Sequence, residues 1–475
     1  MVPTQLNNET IVAIITPPGE GGIAAIRLAG PDCKKIIKKH FKTFSKKGLN
    51  PFMLRYGRFS NKSGSPVDEV MVVYMPQGKS YTGEEQIEIF CHGGRLVVKQ
   101  ILDELLSSGA RSAEPGEFTK LAFLAGKMDL AQAEAVAGII SANTEYSHKV
   151  ASEQLTGAYS KLILSIRNEI ITILAEVEAS IDFPEEEIDP ATYTKIIKSL
   201  SEMIISIDSL LKTYNSGRII KEGYKIAIAG RPNAGKSSLF NLLLQQQRAL
   251  VTPIAGTTRD FLSEWIEIGG VAVNIIDTAG LRQTESNIEK AGQEKTNKIL
   301  KESDLIVWLF DLSNQNWRKQ LEDDIKKLPN KISSHLLLVG NKIDLLKKPI
   351  ISKQILEQIK IGGKYHLIDI KQIMLVSCKT NKGLTDFKKK LSSNINLNLT
   401  DMTSGLVVTS ARHQQKLKSS LKYLKTASKQ LSTSETPELI AFTLNQAINQ
   451  IDEITGKIYN EEILGKIFST FCLGK

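Results

Sequence analysis

The run Gly230-Arg231-Pro232-Asn233-Ala234-Gly235-Lys236-Ser237 has the spacing G-x-x-x-x-G-K-[ST], and it falls between an apolar, strand-like stretch (residues 225–229) and a helical one (238–244). Strand, glycine-bearing loop and helix in that order belong to an α/β sheet. The loop's N–H groups and the start of the helix then converge on one spot and form a cradle for phosphates. Asn233, Ala234, Gly235 and Ser238 line that cradle. Lys236 offsets charge on the β- and γ-phosphates, and Ser237 offers its hydroxyl to Mg²⁺.

Three more motifs follow in the order of a Ras-like G domain. Asp277-Thr278-Ala279-Gly280 ends an apolar stretch (271–276), which puts Asp277 in the second shell of the metal and the Gly280 amide near the γ-phosphate. Asn341-Lys342-Ile343-Asp344 ends another (336–339). A carboxylate at Asp344 accepts from both N1 and N2 of guanine, a pair of donors that adenine lacks, so the motif selects GTP. Ser377-Cys378-Lys379 reads as the last guanine-contacting loop. Leu281 stands where Ras-type enzymes carry a water-orienting glutamine. An apolar side chain neither positions water nor stabilises developing charge, so both tasks fall to other groups.

At 475 residues the chain exceeds one ordinary core, and two or three domains are expected. Its apolar stretches are broken by charge, Gly or Pro well short of a membrane span, and residues 1–30 show neither a signal-peptide nor a transit pattern, so a cytoplasmic protein is expected. Cys33, Cys91, Cys378 and Cys472 lie far apart with no C-x-x-C pair, which argues against a zinc site or a disulfide framework. The balance of 61 Lys+Arg against 51 Asp+Glu gives a net charge of +10, which suits a polyanion such as RNA and equally describes a Lys-rich solvated surface.

Along the chain three patterns alternate. Residues 1–128 mix β-like runs (10–16, 22–29, 69–75, 86–91) with a helical stretch at 95–108, predicting a small α/β domain. From about residue 130 the pattern is helical: Tyr159, Leu162, Ile166, Ile170, Ile173 and Val177 recur at steps of three and four, as do Tyr193, Ile197, Leu200, Ile204, Ile207 and Leu211. Pro184, in an acidic run that reads as a solvated junction, ends the first of these helices. After the α/β stretch 221–390 the helical pattern returns, with Leu444, Ile448 and Ile451 on one face. The economical architecture is a multidomain α/β plus all-α chain: an N-terminal domain (1–128), a discontinuous helical domain (129–220 plus 391–475) and an inserted P-loop G domain (221–390).

Several further segments resemble one family. The loop Thr252-Pro253-Ile254-Ala255-Gly256-Thr257-Thr258, with Asn233, is similar to the potassium-binding loop of the MnmE (TrmE) family of tRNA-modification GTPases, although related ribosome-assembly GTPases share parts of it. Thr16-Pro17-Pro18-Gly19-Glu20-Gly21-Gly22, Ser80-Tyr81-Thr82-Gly83-Glu84-Glu85, His92-Gly93-Gly94, Pro115-Gly116-Glu117-Phe118-Thr119, Lys127-Met128-Asp129-Leu130-Ala131 and Phe471-Cys472-Leu473-Gly474-Lys475 resemble the same family along the whole chain. Phe90-Cys91 departs from the glutamine-glycine of that pattern.

The resemblance implies a potassium-dependent GTPase. With a flavin-dependent partner of the MnmG/GidA type, in a heterotetramer, it installs an aminomethyl or carboxymethylaminomethyl group at C5 of the wobble uridine of certain tRNAs. It implies K⁺ on Asn233, Thr252, Ile254 and Thr257, and Mg²⁺ on Ser237 and Thr258. A catalytic Glu289 and a homodimer follow from it as well, and the loop from Thr252 to Thr258 becomes part of the GTP site. The N-terminal domain then binds a 5-formyl or 5,10-methylene tetrahydrofolate through Arg27, Glu88, Lys127 and Lys475. By itself Cys472 reads as an ordinary buried cysteine. The resemblance makes it a nucleophile toward the uridine. Two other readings compete: a ribosome-assembly GTPase, whose KH-type G-x-x-G loop the helical region lacks, and a switch that only binds partners.

Overall fold

The computed structural model describes residues 9–182, 190–245, 262–278, 289–327, 336–346, 373–396, 406–433 and 435–475, leaving aside the side chains of 190–193, 262, 289–293, 295, 327 and 396. The chain divides into two compact units, one comprising Met1–Ile140, Ser152–Ile205 and Lys416–Lys475, the other Ser141–Ala151 and Ser206–Gln415.

The first unit is organised by a seven-stranded sheet of β1 (Ile11–Ile14), β2 (Gly21–Ala29), β3 (Phe41–Thr43), β4 (Arg55–Ser60), β5 (Pro66–Met75), β6 (Gln86–Gly93) and β7 (Arg111–Ser112), in the order β3-β4-β5-β6-β2-β1-β7. All its pairings are antiparallel except β1 with β7. Side chains alternate between faces along a strand. Ile26 and Leu28 of β2 therefore join Ile87 and Ile89 of β6 beneath the helices Cys33–His40 and Arg95–Ser107, where Ile36, Ile37, Ile101 and Leu105 close the core. Each of these fully buried aliphatics contributes roughly 1.5–3 kcal/mol. The intervening positions face the other way: Ile11, Ala13 and Ala29 pack on Phe118 and Leu121 of the helix Glu117–Leu124, and on that face the register sets Arg27 directly opposite Glu88.

The same unit holds the helices Ala158–Asp182 and Pro437–Thr455, which pack on each other. Along the first, Tyr159, Ile166, Ile170, Ile173 and Val177 are buried as the spacing requires, with Ile163 in place of Leu162. Leu444, Ile448 and Ile451 of the second are buried too. In the helix Pro190–Lys212 the buried set is Ile196, Leu200, Met203, Ile207 and Leu210, one position before the expected Ile197, Ile204 and Leu211. Apolar residues occupy both members of each adjacent pair there, so the stripe is wide and its spacing does not say which edge turns inward.

The second unit contains a six-stranded sheet of β8 (Tyr224–Gly230), β9 (Leu262–Ile268), β10 (Val271–Asp277), β11 (Leu305–Asp311), β12 (Leu336–Asn341) and β13 (Ile373–Leu375), ordered β13-β12-β11-β8-β10-β9. Only β9 runs antiparallel to its neighbour. The helices Lys236–Gln245 and Leu384–Asn396 cover Ile226, Ile228, Val307 and Val339 on one face. Trp317 and Leu321 of the helix Trp317–Lys327 cover Ala227, Ala229 and Phe310 on the other. A parallel sheet buried on both faces explains why these strands are nearly continuous runs of Ile, Val and Leu. This strand order belongs to the Ras-like P-loop fold, with the ends of β8, β10 and β12 gathered on one edge.

Candidate functional site

The phosphate loop begins where β8 ends. At Gly230 (φ 141°) an added Cβ would stand 2.1 Å from the Leu309 carbonyl oxygen, and at Gly235 (φ 101°) it would stand 2.2 Å from Nδ2 of Asn341, so both positions exclude a side chain on conformational and steric grounds. Asn233 also has a positive φ of 60°, which asparagine tolerates better than most residues. Lys236, nearly buried, donates to the carbonyls of Gly230 (3.0 Å) and Arg231 (2.8 Å), which fixes its ammonium inside the loop. Ser237 and Ser238 are exposed at the start of the helix. Ser237 Oγ donates to the buried Asp277 Oδ2 at 2.9 Å, so a hydroxyl and a carboxylate, both hard oxygen donors suited to Mg²⁺, meet beside the phosphate cradle. Thr278 Oγ1 donates to the Ile228 carbonyl at 2.9 Å, tying the end of β10 to β8.

The guanine side is locked to this loop by one amide. Asn341 Nδ2 donates to the Ala234 carbonyl (2.8 Å) while its Oδ1 accepts from the Cys378 N–H (3.1 Å), so the first and last nucleotide motifs share a side chain. Ser377 Oγ donates to Asp344 Oδ1 at 2.6 Å and orients an otherwise exposed carboxylate. Ile343 and Asp344 lie in a short 3-10 turn (Ile343–Leu345) after Lys342, whose φ is 66°. Burial, and then the charge of Asp344, push the Cys378 thiol up to about 11 against the hydrogen bond with Asn341, and Lys379 beside it is exposed.

Three positioning contacts were not evident in the sequence. Lys342 Nζ donates to Asp311 Oδ2 at 2.6 Å. Burial alone would raise the Asp311 carboxyl, but hydrogen bonds from Lys342 and Ser313 outweigh it and hold the group below its ordinary value. Arg231 Nε donates to both carboxylate oxygens of Asp324 at 3.0 Å, pinning the loop to the helix Trp317–Lys327. Arg218 pairs with Asp304, whose other oxygen accepts from the Lys225 N–H at 2.9 Å at the start of β8. The only signal for the first was an apolar strand that ends in aspartate.

Several expected residues fall outside the described ones: Thr252, Pro253, Ile254, Ala255, Gly256, Thr257 and Thr258, then Ala279, Gly280 and Leu281. Glu289 is the first residue of the helix Glu289–Glu302, and its side chain is likewise outside the description.

In the first unit a second polar centre lies on the inner side of the sheet. Arg27 Nε and Nη2 each stand 2.9 Å from Glu88 Oε1, with the two side chains 10% and 15% exposed. The guanidinium lies 5.2 Å from the Tyr81 ring and 5.5 Å from the Phe118 ring, where aromatic faces favour a cation. Gln86 Nε2 also donates to Glu88 Oε1 (3.0 Å). After these contacts Arg27 Nη1 and Gln86 Oε1 remain buried without a hydrogen-bond partner. A buried orphan donor and acceptor side by side fit a ligand bearing a carboxylate or carbonyl and an N–H group.

Lys475 completes this centre. Burial, and then the charge of Arg27, push its ammonium below the usual lysine value, while Glu88 and Cys472 act the other way. Its carbonyl accepts from the Phe118 N–H (3.1 Å), and Gly474 (φ 90°) packs so closely on β1 that an added Cβ would stand 2.5 Å from the Ile14 carbonyl. Lys127 is placed differently. It is exposed and donates to the Gly78 carbonyl (2.7 Å), at the base of the tight turn that carries Tyr81. Arg27, Glu88 and Lys475 are thus brought together, and Lys127 is linked to them through the Tyr81 turn. Cys91 is buried and turned to the Ala24 carbonyl. Cys472 is exposed, in contrast to the buried cysteine its lone position suggested, because Phe471 beside it takes the buried place against Phe468.

Among the described residues no helix is long and apolar enough to cross a membrane. A family model described as "GTP-binding protein TrmE N-terminus" matches residues 10–127, and one described as "MnmE helical domain" matches residues 130–472. The tRNA modification GTPase MnmE of Carboxydothermus hydrogenoformans is 41% identical over 98% of this chain and 99% of its own length. That of Aquifex aeolicus is 40% identical over 98% of this chain and 100% of its own. Among solved structures, the G domain of the T. maritima FeoB iron transporter aligns with 37% of this chain and 98% of its own, at 26% identity and a TM-score of 0.26. With its sequence motifs, its two family-model matches and full-length relatives near 40% identity, the chain belongs to the MnmE family of tRNA modification GTPases.

Proposed function

We propose that this GTPase is potassium-dependent. In the proposal it works in the cytoplasm with a flavin-dependent partner of the MnmG/GidA type, and together they install an aminomethyl or carboxymethylaminomethyl group at C5 of the wobble uridine of certain tRNAs. The observation that carries the reading is the presence in one chain of two unlike sites: a guanine-selective phosphate loop in one unit, and in the other a buried Arg27–Glu88 pair with an orphan donor at Arg27 Nη1.

In the phosphate loop, Lys236 and the loop amides bind and orient the GTP phosphates, and Asp344, aligned by Ser377, reads the guanine edge. Ser237 and Thr258 would hold Mg²⁺, and Asn233, Thr252, Ile254 and Thr257 would hold K⁺. The bound cations would offset the charge that grows between the β- and γ-phosphates. Leu281 cannot orient water, so Glu289, at the start of its helix, takes that task as general base when two G domains meet across a homodimer. In the N-terminal pocket the orphan Arg27 Nη1 and Lys475 would meet a carboxylate of a tetrahydrofolate derivative. Gln86 and Glu88 would accept from pterin N–H groups, and Lys127 would serve from the neighbouring turn. The folate would supply the one-carbon unit, and exposed Cys472 would be the nucleophile toward the uridine ring.

The boundaries that go with this reading are 1–128 for folate binding and dimerisation, 129–220 with 391–475 for the helical domain, and 221–390 for the G domain. The deciding experiment is mass spectrometry of tRNA nucleosides from a strain lacking the chain, complemented in turn with wild type, Glu289→Ala and Cys472→Ser. Wild type is expected to restore the modified wobble uridine. Both variants should fail, Glu289→Ala with turnover about 100-fold lower and Cys472→Ser with GTPase activity intact. Normal modification in the deletion strain, or equal GTPase rates in Na⁺ and K⁺, would overturn the reading.

A further inference from the structure

The helix Ala411–Ser432 carries Arg412, Lys416, Lys418, Lys422, Lys425 and Lys429 and no carboxylate. Its partner in sequence, Pro437–Thr455, is the reverse, with Glu438, Asp452 and Glu453 and no Lys or Arg. Charges that face protein are matched: Lys416 pairs with Glu453, and Asp452 pairs with Arg167. Lys418, Lys422, Lys425 and Lys429 are different. All four are exposed, and none of their ammonium groups has an ion pair or hydrogen bond among the described residues.

These lysines follow one another at steps of four, three and four, so they share one face of the helix and span about 17 Å at 1.5 Å per residue. Leu417, Leu421, Leu424, Ala427 and Leu431 are buried on the opposite side and fix which way the row points. Like charges three and four residues apart destabilise a helix by a few tenths of a kcal/mol per pair. The row therefore opposes folding without any contact of these ammonium groups among the described residues to offset it. That is the pattern of a surface matched to an external polyanion.

We propose that this lysine row is the contact of the protein with the phosphate backbone of tRNA. The proposal rests on the reading that tRNA is the substrate. Four fixed positive charges in a line suit a nucleic-acid arm, which offers on the order of one negative charge per 1.7 Å of helix axis, the B-form value. A membrane surface fits less well: besides the lysines, the exposed positions of the helix include Ala411, Gln415, Thr426 and Ser432 but no large apolar residue to enter a bilayer.

The test is binding of unmodified tRNA to the full chain across a KCl series, for wild type and for a variant combining Lys418→Gln, Lys422→Gln, Lys425→Gln and Lys429→Gln. Glutamine matches lysine in helix propensity, so the helix is preserved, and GTP turnover without tRNA is expected to be unchanged. The variant should bind tRNA on the order of 100-fold more weakly at low salt. The slope of log affinity against log salt should become shallower by about three, from four lost contacts at ~0.7–0.9 each. Replacing all four by arginine should keep both. Wild type and the glutamine variant binding tRNA equally, with the same slope, would overturn the proposal and leave the proposed function standing. Loss of binding to phosphatidylserine vesicles with tRNA binding intact would overturn it in favour of a membrane surface. A wild type that binds no tRNA at any salt would remove the tRNA reading as well.

Discussion

The phosphate loop draws on the single run 230–238, whereas the polar centre around Arg27 draws on residues 27, 86, 88, 118 and 475, which only the folded sheet brings together. The first site is a backbone device. Its glycines are dictated by φ values and by neighbours about 2 Å from where a Cβ would stand, and its lysine is held by carbonyls of its own loop. The second is a side-chain device. Strand register sets Arg27 against Glu88, aromatic rings flank the guanidinium, and Arg27 Nη1 and Gln86 Oε1 are left buried without a hydrogen-bond partner. A local site fails when its backbone is disturbed, and a dispersed one fails when its packing is.

The largest effect expected on that contrast comes from Gly235→Val. Strain at φ 101° together with displacement of Asn341 Nδ2 amounts to about 4 kcal/mol, so GTP affinity should fall on the order of 10³-fold in a fluorescent-nucleotide titration. The proposed binding of a tetrahydrofolate derivative should be retained by the same protein. Parallel loss of both activities would mean that the two sites are not independent.

Next is Asp344→Asn. With Ser377 fixing one oxygen, the substitution reverses hydrogen-bond polarity at the other, so GTP should bind about 100-fold more weakly and xanthosine triphosphate more tightly. An unaltered nucleotide preference would remove the guanine-reading role.

Arg27→Gln leaves the nearly buried Glu88 without its cation. Stability of the N-terminal unit should drop by about 2 kcal/mol in denaturant titration, and pairing the change with Glu88→Gln should recover much of it. GTP turnover should be unaffected. Additive losses in the double variant would show that the pair is not coupled.

The smallest effect belongs to Asp311. Its pair with Lys342 is partly exposed, so Asp311→Asn should cost within about 1 kcal/mol. Because the folded carboxyl is held below its ordinary value, its contribution is present above the ordinary carboxylate range and disappears as pH falls through the lowered value. Denaturation should therefore separate wild type from variant more at pH 7 than at pH 3. The same difference at both pH values would mean that the effect is steric.

The two sites also differ in how far they could be read from sequence. Each nucleotide motif is a short segment whose residue types are imposed by its own backbone, so Gly230, Gly235, Asp277, Asn341 and Asp344 were legible in place. The contacts joining those segments, Lys342 with Asp311 and Arg231 with Asp324, were not, because each charged residue alone reads as a solvated surface group. Around Arg27 only family resemblance singled out Arg27, Glu88 and Lys475 together. Spacing says nothing about a partner 61 positions away, and Gln86 was not singled out at all. In Pro190–Lys212 three buried positions were displaced by one residue because apolar residues there come in adjacent pairs, whereas the expected Leu444, Ile448 and Ile451 of Pro437–Thr455 are all buried.

The packing of Gly474 and Lys475 against β1 and Phe118 gives this pocket a history as well as a shape. During synthesis Arg27 and Glu88 can pair once the first sheet has emerged, but the ammonium that shares their surroundings arrives hundreds of residues later, after the nucleotide-binding unit has been made. A nascent chain therefore carries the Arg27–Glu88 pair without that neighbour until residue 475 has been added.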